Sequence, residues 1–149
     1  MSAPSPAALE ASSGTFRLLL VEDNPDEAEL CRRALLGAGF RGSILSASDG
    51  VEALRLVGDL APEWPDVILL DLKLPRLDGL DVLRQLKGHP DQRLIPVVVM
   101  SSSEEQRDRE SSYRLGANSY VVKPVDPEEF ARVVGQVAHY WSSINRRPR

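Results

Sequence analysis

Residues 67–79 read V-I-L-L-D-L-K-L-P-R-L-D-G, and the architecture of the chain follows from them. Four apolar residues in a row, Val67 to Leu70, run into a carboxylate, Asp71, and Pro75, Asp78 and Gly79 then break the run. So short an unalternating run reads as a strand buried on both faces, as in a parallel sheet covered by helices, although periodicity alone also admits a buried helix. As a strand it places Asp71 at its carboxyl end. In open α/β sheets that edge is where ligands bind and chemistry happens.

Outward from this stretch, apolar runs alternate with helical patterns, which predicts repeated βα units and a parallel sheet. Upstream, Phe16–Val21 is expected as the first strand, ending at Glu22 and Asp23. A helix from Pro25 to about Leu36 follows, with Ala28, Cys31, Ala34 and Leu35 inward, then a short strand, Ser43–Ser48, and a helix over about 50–60. Downstream the pattern gives a helix over about 79–87 and a strand, Ile95–Met100, closed by Ser101, Ser102 and Ser103. A helix over about 104–115 and a fifth strand, Ser119–Val122, ending in Lys123 and Pro124, complete the alternation. The last helix, from Pro127, carries Phe130, Val133, Val134, Val137 and Trp141 on one stripe. Helix starts have independent support from N-cap and capping-box residues: Asn24 with Glu27, Asp49 with Glu52, Ser103 with Gln106, and Asp126 with Pro127 and Glu129. Gly37, Gly39 and Gly42 spell G-x-G-x-x-G, but after a helix and before a strand, the reverse of what a dinucleotide site needs. They read instead as the end of the first helix.

With 149 residues, 42% of them hydrophobic, the chain can bury about two thirds of its unfolded surface, enough for one core. One domain is expected over residues 15–145, after a disordered leader, 1–14, rich in Ala, Ser and Pro, and before a solvated basic tail, 146–149. The net charge of -4 provides no basic field for nucleic acid, so no direct nucleic-acid binding is expected. No apolar run approaches the roughly 20 residues of a membrane span, and the leader lacks the features of a secretory signal. Cys31 has no partner for an internal disulfide and reads as a small core hydrophobe. A cytoplasmic protein without membrane contact is the expectation.

If the strands end along one edge, Glu22, Asp23, Asp71, Ser101 and Lys123 gather there. Three carboxylates so close repel one another unless a cation joins them. Oxygen-only ligation by few protein groups suits Mg²⁺, which shares its sphere with water and phosphate. A carboxylate beside Mg²⁺ can act as a nucleophile toward phosphorus, with the metal, a lysine and a hydroxyl neutralising charge. Asp71 stands alone at the centre and suits the nucleophile; Glu22 and Asp23, side by side, suit the metal. His89, in an expected loop, and His139, on the outer side of the last helix, fit neither ligand nor base.

L-L-V-E-D-N, D-L-K-L-P-R-L-D-G, the S-S after V-V-V-M, and Y-V-V-K-P occur in the order and spacing of a known family. Over about Arg17 to Trp141 the chain resembles the receiver domain of bacterial two-component response regulators. The resemblance implies a five-stranded parallel sheet in the order 2-1-3-4-5 with helices on both faces, a flavodoxin-like (βα)5 fold. It implies a sensor histidine kinase as phosphoryl donor, Asp71 as the phosphorylated residue, and Mg²⁺ held by Glu22, Asp23, Asp71 and the backbone carbonyl of Lys73. It also implies Ser101, with Ser102 beside it, and Lys123 as phosphate-binding groups, and Tyr120 as the partner of Ser101 in a switch that alters the face of the fourth helix, fifth strand and fifth helix. Leu74 and Val125 depart from the commoner family residues, Met and an aromatic; Lys73 and Ser103 fall where phosphate lifetime is influenced.

Nothing long enough to be an output domain follows Trp141, so the chain resembles a stand-alone receiver. I-P-V-V-V-M-S-S-S-E, S-Y-R-L-G-A-N-S-Y and H-Y-W resemble the small regulators paired with phytochrome photoreceptor kinases, which implies a bacteriophytochrome as the kinase. Phe130, Val137, Tyr140, Trp141 and Ile144 exceed one inward stripe, and a homodimer through the last helix is expected. The rival readings are a small aspartyl-phosphate phosphohydrolase, a flavodoxin-like electron carrier and a degenerate receiver acting as a binding module. The first would need an acid where Lys73 stands, and the second a phosphate cradle where Glu22, Asp23 and Asn24 stand. The third is opposed by the intact acceptor, acidic pair, hydroxyl and lysine. The expected role is therefore a phosphoacceptor signalling protein, with no catalysis beyond its own phosphorylation and dephosphorylation.

Overall fold

A computed structural model describes residues 15–148. The expected disordered leader, 1–14, and the final Arg149 lie outside the described residues. Strands β1 (Arg17–Val21), β2 (Ser43–Ala47), β3 (Val67–Leu70), β4 (Val97–Ser101) and β5 (Ser119–Val122) alternate with helices α1 (Pro25–Gly37), α2 (Gly50–Leu60), α3 (Gly79–Gly88), α4 (Gln106–Arg114) and α5 (Pro127–His139). All pairings are parallel, in the order β2-β1-β3-β4-β5. The architecture expected from the alternating pattern is the one observed.

Apolar side chains cover both faces of the sheet because successive residues of a strand point to opposite sides. Leu19, Val21, Ile68, Leu70, Val97 and Val99 pack against Ala53 and Val57 of α2 and Val82, Leu83 and Leu86 of α3. On the other face Leu18, Leu20, Val67, Leu69, Val98 and Met100 meet Cys31, Ala34 and Leu35 of α1 and Phe130, Val134 and Ala138 of α5. The inner residues of α5 are thus Phe130, Val134 and Ala138, while Val133, Val137 and Trp141 are half-buried along its flank. The helix runs on into one π-helical turn, Tyr140–Ile144.

Three of the four expected caps form. Asn24 Oδ1 accepts from the N–H groups of Asp26 and Glu27, Asp49 Oδ1 from Glu52, and Asp126 Oδ2 from Glu129. The box of Ser103 with Gln106 does not form. Ser103 Oγ instead accepts from Glu105 N–H (3.2 Å) and donates to Asp108 (2.6 Å), and α4 starts later than expected. Serine can close such a loop turn before a helix as readily as cap it, and that alternative wins here. β4 likewise begins at Val97, because Ile95 N–H is taken by Gln92 O in a 3₁₀ turn (Gln92–Leu94). The tail is exposed but not wholly free in solvent: the Arg147 guanidinium pairs with Asp66 (3.0 Å) and lies over the Phe16 ring (5.7 Å).

Candidate functional site

Backbone hydrogen bonds carry the carboxyl ends of the central strands into the site. Glu22 N–H donates to Ala47 O (3.0 Å) and Asp71 N–H to Val21 O (3.1 Å), so both acids are held at the sheet edge by its own ladder. Beyond β3 the chain folds back on itself: Gly79 N–H donates to Leu72 O (2.8 Å). A Cβ on Gly79 would stand 2.3 Å from Asp71 O and 2.5 Å from Leu72 Cα, so the return of this loop requires a glycine. Asp78 caps α3 through Asp81 N–H (3.0 Å), a cap not anticipated from the sequence. The Lys73 N–H donates to Asp71 Oδ1 (3.2 Å) and orients the carboxylate.

Glu22, Asp23 and Asp71 each present a carboxylate oxygen within 4.8 Å of the other two. Asp71 is 9% exposed and Glu22 7%, whereas Asp23 faces solvent. From β5, the Lys123 ammonium enters between the acids, 2.6 Å from Glu22 Oε1 and 3.2 Å from Asp71 Oδ2. Burial pushes the Glu22 carboxyl up to about 7, although Lys123 and the Asn24 N–H pull it down. Burial opposes the charge on Lys123 as well, but Glu22 and Asp71 outweigh it and hold the ammonium above its ordinary value. Burial outweighs the one ammonium beside this carboxyl, so further positive charge there would favour its ionised form. An all-oxygen donor set of this kind, open to water on the Asp23 side, fits a hard divalent cation with part of its sphere left for other oxygens.

Ser101, at the end of β4, is 1% exposed, and its Oγ accepts from Ser103 N–H (3.1 Å). Ser102, next to it, is exposed. Tyr120 is half-buried in β5, and its hydroxyl donates to Ser103 O (2.9 Å), tying it to the loop that follows Ser101. Lys73 is exposed beyond its backbone contact, and His89 and His139 lie away from these groups, His89 accepting from Asp91 and Gln92 N–H. One further residue reaches the site without having been assigned to it. Glu27, read from the sequence as a capping-box acid, brings Oε2 to 3.7 Å from Lys123 Nζ.

The family described as the response regulator receiver domain matches residues 18–134. The "Probable methanogenesis regulatory protein FilR2" of Methanothrix harundinacea is 41% identical over 89% of this chain and 88% of its own. Among solved structures, the phosphorylated cyanobacterial phytochrome response regulator RcpA superposes with a TM-score of 0.86 at 32% identity, over 91% of this chain and all of its own. The Mn²⁺-bound form of response regulator Rcp1 does so with 0.80 at 30% identity, over 90% and 99%; Rcp1 comes from a Synechocystis strain. The chain spans about half, 47%, of other relatives, such as the response regulator MprA of Mycobacterium tuberculosis. The order of the sheet, the acids at its carboxyl edge and the match over most of the chain agree: this protein belongs to the response regulator receiver domain family.

Proposed function

We propose that this chain accepts a phosphoryl group on Asp71 from the histidine of a sensor histidine kinase and signals through the face made by α4, β5 and α5. The observation that carries this reading is the position of Asp71: a carboxylate 9% exposed, oriented by the Lys73 N–H, 3.2 Å from a buried ammonium and within 4.8 Å of two further acids. In the transfer, an Asp71 oxygen forms a bond to phosphorus as the phosphorus–nitrogen bond of the donor breaks, and the electron pair stays on the imidazole nitrogen. Lys123 moves from the carboxylates to a phosphoryl oxygen. Glu22, Asp23, Asp71 and the Lys73 carbonyl are the groups that would hold Mg²⁺, which supplies charge neutralisation to the phosphoryl oxygens.

The Ser101 hydroxyl proton serves none of the described hydrogen bonds, so it is available to a phosphoryl oxygen, with Ser102 at the rim. Drawing Ser101 inward would disturb its contact with Ser103 and, through Ser103 O, the anchored Tyr120 hydroxyl. That links the phosphate to the surface of α4 and β5. The likeness to the phytochrome regulator RcpA supports a phytochrome-type kinase as the donor. Exposed Tyr140 and Ile144, next to half-buried Val137 and Trp141, support a homodimer along the last helix.

The test is intact mass after incubation with Mg²⁺ and acetyl phosphate. One phosphoryl adduct is expected, dependent on Mg²⁺ and absent in Asp71→Asn. An adduct that persists in Asp71→Asn, or none in either protein, would remove Asp71 from the role. Phosphotransfer from a panel of purified kinases tests the donor, and sedimentation with and without beryllofluoride tests the dimer.

A further inference from the structure

Glu27 should close the capping box of α1 by accepting the backbone N–H of Asn24, as its spacing predicts. That N–H is taken by Glu22 Oε2 (3.1 Å), so the Glu27 side chain has no capping partner to reach back to. It leans the other way, and its Oε2 stands 3.7 Å from Lys123 Nζ. The side chain is 48% exposed and sits at the rim, while Lys123 is 10% exposed behind it. Lys123 therefore lies among three carboxylates, and only Glu27 is neither one of the clustered acids nor the phosphoacceptor.

We infer that Glu27 is a positioning residue which competes with the incoming phosphoryl group for Lys123, and so sets how readily the site is loaded. This rests on the phosphoacceptor reading above. Once a cation engages Glu22 and Asp71, Glu27 is the carboxylate left to retain the ammonium at the mouth. An anion arriving at Asp71 must draw Lys123 away from it. A half-exposed pair is a weak restraint, so the effect is one of tuning.

The probe is beryllofluoride with Mg²⁺, titrated into the full chain. Glu27→Gln is expected to tighten its binding by about two- to fivefold, the range that a pair of this exposure allows. Asp26→Asn removes a neighbouring charge of the same helical turn and is expected to change nothing. In a Lys123→Ala background, Glu27→Gln is expected to add nothing, a non-additivity that a merely structural role or a general change of charge would not produce. Equal affinity of Glu27→Gln and wild type overturns the inference. So does a gain that survives in Lys123→Ala or that Asp26→Asn reproduces. If the wild type itself takes up no beryllofluoride, the phosphoacceptor reading fails instead, so the two failures are distinguishable.

Discussion

Replacing Glu22 by Gln should stabilise the metal-free protein, and only at higher pH. Glu22 is 7% exposed, and its carboxyl is pushed from 4.5 up to about 7, chiefly by burial. An acid whose folded value lies above its unfolded one favours the fold fully below the unfolded value. That contribution is lost as pH rises, from about 4.5 through about 7. Displacing a titration by one pH unit takes about 1.4 kcal/mol, so the ionised carboxylate costs the fold on the order of 3 kcal/mol above that window. Glutamine keeps the shape and an acceptor for the Asn24 N–H but carries no charge, and it loses the charge of the 2.6 Å contact with Lys123. A net gain of about 1–3 kcal/mol near pH 8 is expected, shrinking as pH falls and vanishing near pH 4, where the carboxyl is protonated in the folded and unfolded states alike. Urea unfolding at both pH values, with a chelator present, measures it. Addition of Mg²⁺ should then narrow the gap at the higher pH, because the wild type gains more from a cation than the variant does. A variant no more stable than wild type near pH 8, or a gap equal at both pH values, would refute the reasoning.

Gly79→Ala should destabilise by about 1–3 kcal/mol, since the new methyl would stand 2.3 Å from the Asp71 backbone oxygen and the backbone must shift to admit it. The surviving folded fraction should bind beryllofluoride more weakly, because that oxygen belongs to Asp71; urea unfolding and a beryllofluoride titration read the two effects. Cys31 is 3% exposed with its thiol pushed up to about 12 by burial, so alkylation should be slow in the native protein and fast in denaturant. Rapid native labelling near neutral pH would contradict the packing of α1. Arg147→Ala breaks an ion pair whose arginine side chain is 42% exposed, and its cost should not exceed about 1 kcal/mol in urea unfolding.

Much of this was legible in the sequence because the signals were redundant. The strand at Val67–Leu70 was marked both by its unbroken apolar run and by the turn residues after Asp71, and α1, α2 and α5 each carried a side-chain cap as well as an apolar stripe. Where only one signal is present, sequence and structure part. Ser103 and Gln106 have the spacing of a capping box, yet the serine prefers Glu105 and Asp108, a choice made by loop geometry that spacing does not encode. Ile95 looks like the start of a β-branched run but is claimed by the 3₁₀ turn before it. In the site, strand order alone places Glu22, Asp71 and Lys123 together. The approach of Glu27 to Lys123 was hidden because it depends on Glu22 capturing the Asn24 N–H, a contact set by side-chain conformation. The Tyr120–Ser103 hydrogen bond was hidden for the same reason.

The clasp of Arg147 on Asp66 and Phe16 matters in practice for experiments on this protein. Phe16 and Asp66 each precede a strand, β1 and β3, whereas Glu22 and Asp71 follow those same strands. A five-residue strand spans roughly 16 Å, so the chain leaves the described residues at the opposite end of the sheet from Glu22 and Asp71. A fluorophore, affinity handle or fused reporter joined beyond Pro148 would stand clear of those carboxylates, and one attached before Thr15 would start from the same pole. Such a label can report by anisotropy on whatever binds the chain while Glu22 and Asp71 stay unobstructed at the opposite pole.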